Sequence, residues 1–179
     1  NYYGSEAPLL LAAYGALQDW DGIWMFDYGH GQDGTVSMGY ARGFFDTAQH
    51  PGKMANLLLA ANLFRRGDVR PAMQEITMAL TPDKEIELMA NAWAWGIFSS
   101  SQLGVSGKFA FTNRLSTSVG TNAVGLTNPP PVPAGNVPTS DTGEMKWDLS
   151  TAGRGVVTIN TPRTKAVLGY ATNRVWQLG

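Results

Sequence analysis

The stretch Trp20-Asp21-Gly22-Ile23-Trp24-Met25-Phe26-Asp27-Tyr28-Gly29-His30-Gly31 decides how this chain is read. Asp19 to Gly22 breaks an apolar helical run. Ile23 to Tyr28 then reads as a continuous apolar strand ending in polar residues. A strand without polar alternation suggests a sheet covered on both faces, as in parallel α/β proteins. Asp27, Tyr28 and His30 fall at the strand end and in the Gly-rich loop after it. (β/α)-barrel enzymes present their functional groups at that place. Only one helix fits before the strand, so the expectation is a late part of a barrel with further sequence preceding it.

Working outward, residues 5 to 20 predict a helix. Ser5 is placed to cap it, and Pro8 fits its first turn, where a missing N–H is tolerated. Its body, Leu9 to Leu17, is apolar on nearly every side, which calls for burial on most faces. Residues 29 to 50 read as a long functional loop with Tyr40, Phe44 and Phe45 in it. Residues 51 to 66 predict a second helix. Pro51 opens it, Arg65 and Arg66 complement its dipole, and Gly67 closes it.

After Gly67 the pattern changes. Arg70 to Leu80 alternates apolar Ile76, Met78 and Leu80 with polar neighbours, as a half-buried strand does. Thr81-Pro82-Asp83 opens a helix running to about residue 92. Trp93 and Trp95 would share one face of a strand, as core or as a binding strip. Phe109 to Val119 is open between helix and irregular structure. The Pro-rich run 128–135 is extended and stiff. Beyond it, 144–148, 156–160, 165–170 and 174–178 read as short strands separated by turn residues, the pattern of an antiparallel β-sandwich. The expected fold is α/β plus β, with domains at 1–69 and 70–179.

The 179 residues fall short of the roughly 250 of a complete eight-fold barrel. Net charge is −1 with 15% charged residues, which argues against nucleic acid and against an electrostatic membrane partner. No apolar run approaches the roughly 20 residues of a membrane span. Cysteine is absent, so disulfide, zinc-thiolate and Cys-nucleophile chemistry are excluded for these residues. No signal-peptide pattern opens the stretch. The compartment stays open, with an extracellular or periplasmic setting as the expectation.

The helix, the Trp20–Tyr28 run, His50-Pro51-Gly52-Lys53-Met54-Ala55 and Leu63-Phe64-Arg65-Arg66-Gly67-Asp68-Val69 together resemble the end of a clan A glycoside hydrolase barrel. These are retaining (β/α)8 enzymes, cellulase-like and β-galactosidase-like. Ser140 to Asp148 and Gly155 to Ala166 resemble the accessory β-domain that follows such barrels. The resemblance implies that residues 5–20 are the seventh barrel helix, 23–28 the eighth strand and 51–66 the eighth helix. It places the acid/base and nucleophile glutamates before Asn1, so this chain would hold no catalytic residue of its own. It implies an oligo- or polysaccharide as partner, together with an upstream barrel segment or second chain, and no cofactor.

On that reading Trp24, Asp27, Tyr28 and His30 form the wall of the sugar site. Trp24 offers a ring for the C–H face of a pyranose, or else fills a barrel core. Asp27 and Tyr28 contact sugar, or else cap and pack the loop. Glu6 fits the first helical turn, where a negative charge suits the dipole. His30 and His50 with Asp27, Asp33 and Asp46 match no metal-site spacing. Gly29 to Gly34 lacks the Lys and spacing of a phosphate loop. A non-catalytic carbohydrate-binding or structural module is the second reading. An intact small enzyme is the third, pairing Glu6 with Asp27, Asp33 or Glu144.

Overall fold

The computed structural model describes residues 4–29, 45–90 and 99–179. His30, Asp33, Tyr40, Phe44, Trp93 and Trp95, all weighed above, lie outside the described residues. The elements run α1 (Ala7–Leu17), α2 (Pro51–Arg66), β1 (Glu75–Leu80), α3 (Pro82–Ala90), a 3-10 turn (Ser100–Leu103), α4 (Phe109–Thr112), β2 (Arg114–Val119), β3 (Met145–Asp148), β4 (Val156–Asn160) and β5 (Lys165–Gly169). None of the described helices is long and apolar enough to cross a membrane.

Helix α1 is shorter than the expected 5–20. Glu6, not Ser5, holds the capping position, without a side-chain cap. The helix stops where Gln18 turns into the core and Asp19 adopts φ +60°. The chain then doubles back over Gly15. A Cβ there would meet Ile23 Cδ1 at 2.9 Å and the Trp20 ring at 3.0 Å, so only glycine lets the return pack this closely. Helix α2 has the expected bounds. His50 Nδ1 accepts from Lys53 N at 3.2 Å, and Gly67 closes the helix at φ +59°.

Two small sheets follow. Strands β1 and β2 pair in parallel, from Glu75 against Arg114 to Leu80 against Val119. Parallel strands need a crossover, and residues 81–113 supply it. Strands β3, β4 and β5 form an antiparallel sheet in that order. The arrangement is a small α+β fold with four α-helices among the described residues.

Three expectations change. Ile23 to Tyr28 forms no strand: the run bends at Phe26 and Tyr28, and no described strand lies beside it. Residues 174–178 form no strand. Asn173 turns the chain at φ +60°, and Arg174 and Trp176 bond to Asp148 and Ala171 instead of extending the sheet. No second antiparallel sheet completes a sandwich among the described residues. The buried side of β3 and β4 (Met145, Trp147, Val157, Ile159) packs into one cluster with Leu9, Ala13 and Leu17 of α1 and Leu63 of α2. That core spans both sides of the expected boundary at residues 69–70.

Polar contacts reinforce the junction. The Asp68 side chain is wholly enclosed. It accepts from Arg66 at 2.5 Å and Thr164 Oγ1 at 2.7 Å, with Arg163 at 3.9 Å. The Arg66 bond, aided by Thr164 and the two arginine charges, holds its carboxyl below the usual range against the opposing pull of desolvation. Glu144 accepts from both the backbone N and Nε of Arg70, each at 2.8 Å. Each Glu144 oxygen thus accepts one bond from Arg70. Gln18, 5% exposed, donates to the carbonyls of Ala110 and Asn113 and accepts from Leu115 N. It fastens the end of α1 to the start of β2.

Candidate functional site

The return over Gly15 delivers residues 23–28 beside the two helices, with bends at Phe26 and Tyr28. Burial alternates along the run. Ile23 and Met25 turn inward. They line an apolar cavity of about 210 Å³ with Pro8 and Ala12 of α1 and Leu57 and Phe64 of α2. Trp24, Phe26 and Tyr28 turn outward and are 85%, 69% and 57% exposed. Asp27, on the inward register, is half-buried. Ile23, Trp24 and Met25 make no backbone hydrogen bond among the described residues.

The segment is fixed at its far end. The Tyr28 carbonyl accepts from Thr47 N at 3.2 Å and Ala48 N at 2.8 Å. That turn is anchored in its own right: the Lys53 ammonium, on a buried residue, donates to the carbonyls of Phe45 (3.3 Å) and Asp46 (2.9 Å). Phe45, half exposed, meets Phe26 edge to face with ring centroids 5.6 Å apart. At the near end the Trp24 ring lies over Gly22, where a Cβ would come within 2.7 Å of it. Trp24, Phe26, Tyr28 and Phe45 therefore form an aromatic row open to solvent.

Burying one such ring would be worth about 1.5–3 kcal/mol. Leaving a row of them outside forgoes that stabilisation, which is the mark of a surface that meets something. Aromatic faces offer an apolar plane to the C–H face of a sugar ring, and a carboxylate such as Asp27 accepts hydrogen bonds from sugar hydroxyls.

Of the four residues expected to touch sugar, the structure brings Trp24, Asp27 and Tyr28 onto one segment, Trp24 and Tyr28 on its outer face. His30 lies outside the described residues. Phe26 and Phe45 were not singled out. The signal for Phe26 was present: aromatic side chains recur with period two at 24, 26 and 28, against aliphatic ones at 23 and 25. Reading the run as uniformly apolar hid that alternation. His50 serves as the cap of α2. Among the described residues no group of three or more His, Asp or Glu side chains is placed to hold a metal ion.

No protein-family model matches the chain, and no curated protein or solved structure matches it.

Proposed function

We propose that this chain is the C-terminal part of a retaining glycoside hydrolase and supplies one wall of its sugar site. In this reading Trp24 and Tyr28 face the saccharide from the outer side of the segment, and Asp27 and His30 are its further candidate contacts. The catalytic carboxylates, which retaining hydrolysis needs about 5–5.5 Å apart, lie on a segment preceding these residues. The reading is supported by one observation above all. Residues 23–28 set Ile23 and Met25 against two helices and leave Trp24, Phe26 and Tyr28 exposed. A strand of a (β/α)8 barrel has the same two faces, one toward the helices and one toward the barrel interior and its mouth. The exposed row favours a second reading too, a carbohydrate-binding module without catalysis.

Two measurements separate them. The product of the complete gene is assayed on a panel of aryl glycosides and polysaccharides. The 179-residue chain is assayed for retardation in polysaccharide-containing gels. Hydrolysis by the complete product, with KM raised in Trp24→Ala and Tyr28→Ala, supports the first reading. Retardation without hydrolysis selects the module. Neither activity refutes both.

A further inference from the structure

A polar cavity lies beside the three-stranded sheet, formed by different residues from the aromatic row. Its geometry starts from two glycines. Gly169 has φ +99°, and a Cβ there would sit 2.3 Å from the Gly155 carbonyl oxygen. That carbonyl accepts from Tyr170 N at 3.1 Å. The close approach brings the 151–154 turn, closed by Arg154 N to Thr151 O at 3.0 Å, against the residues that follow β5. Between them is a cavity of about 430 Å³ lined by Thr151, Arg154, Tyr170, Thr172, Asn173 and Arg174. That volume lies within the usual span of small-ligand pockets, roughly 300–1,000 Å³.

Its two arginines differ. Arg174 donates to Asp148 at 3.2 Å, and its guanidinium stands 5.8 Å from the Trp176 ring. Its charge is matched, and its position is held. Arg154 has no carboxylate partner among the described residues. Its guanidinium stands 6.0 Å from the centre of the Tyr170 ring, which is 40% exposed. One wall thus offers an unmatched planar cation beside an aromatic ring. The others offer two hydroxyls and an amide. A guanidinium pairs with the planar fork of a carboxylate, as it does with a phosphate, and hydroxyls and amides pair with sugar hydroxyls.

We propose that this cavity is a saccharide site selective for a carboxylate-bearing sugar, a uronic acid unit, with Arg154 as the carboxylate's partner and Tyr170 as the ring it lies against. This site does not rest on the aromatic row or on the glycosidase reading.

The test is calorimetric titration of the full chain with trigalacturonate at low salt, set beside the neutral trisaccharide of galactose and inorganic phosphate. Saturable trigalacturonate binding is expected, with the neutral sugar and phosphate at least about tenfold weaker. Arg154→Gln lowers affinity about tenfold, and Arg154→Lys recovers part of it, because charge returns without the planar fork. Tyr170→Ala weakens binding severalfold. No saturable binding, equal binding of the neutral sugar or of phosphate, or an unaltered Arg154→Gln would each overturn the proposal.

Discussion

Gln18→Ala puts the joint between helix α1 and strand β2 to a quantitative test. The Gln18 amide nitrogen donates to the Asn113 carbonyl at 2.7 Å and the Ala110 carbonyl at 3.1 Å, and its oxygen accepts from Leu115 N at 2.9 Å. These partners stand 92 to 97 residues away in sequence. Truncation removes all three bonds and leaves three backbone groups without the side chain that paired them. A buried group left unsatisfied costs about 1–3 kcal/mol. The sum is held down because the Ala110 and Leu115 contacts are only partly buried, so water reaches them. The expected loss is about 3–5 kcal/mol. A chain of this size loses about 2–4 °C in Tm per kcal/mol, which makes the fall about 6–20 °C. Gln18→Glu keeps volume and the acceptor for Leu115 but turns a carboxylate oxygen toward two carbonyl oxygens in a buried place, so it should cost at least as much as Ala. Urea unfolding followed by far-ultraviolet circular dichroism measures both variants. A cost for Gln18→Ala below about 1 kcal/mol would refute the reasoning, since the three bonds would then be replaced without penalty.

Other consequences are as direct. Gly169→Ala places a methyl against the Gly155 carbonyl at a backbone angle that disfavours side chains; the expected loss is about 2–5 kcal/mol, read as a lower urea midpoint with faster hydrogen exchange across the β4–β5 pairing. Asp68→Asn is expected to cost about 1–3 kcal/mol at neutral pH. Because the folded carboxyl titrates below its usual 3.8, Asp68's contribution is complete above that value and is lost as pH falls through the lowered one. Parent and variant urea midpoints should therefore converge on acidification, and a gap that stays constant to pH 2 would show that the charge is not responsible. Burial raises the Tyr14 phenol above 10.0. Above pH 10 the unfolded chain gives up that proton first, so stability should fall there, and Tyr14→Phe should remove both the late phenolate absorbance and that part of the fall.

What the sequence disclosed follows the range of the interactions. Helix α2 was legible to the residue because its signals are local: Pro51 to start, Arg65 and Arg66 at the end, Gly67 to stop. Val156 to Asn160 was equally clear between its turns. Residues 114–119 were not. Strand β2 pairs with β1 across a crossover of more than thirty residues, and no local period announces a partner so distant. The same gap explains why Ile23 to Tyr28 read as a strand: its residues are those of a strand, but a ladder needs a neighbour. At the candidate site, Trp24, Asp27 and Tyr28 were legible from their place after an apolar helix. Phe45 was read as part of a loop, without its place beside Phe26, which among the described residues the Lys53 and Tyr28 contacts help to fix. Arg154 and Tyr170 drew no attention because sixteen residues separate them and a glycine contact joins them.

The shared core sets an order of events during synthesis. Leu9, Ala13 and Leu17 leave the ribosome before Met145, Trp147 and Ile159, which belong to the same cluster and follow about 130 residues later. At about 5–20 residues per second, an almost wholly apolar helix waits some 6–25 s for part of its cover. α2 can shield one side in that interval. The other side remains available to a chaperone, or to the same helix on a neighbouring nascent chain, until β3 and β4 have emerged.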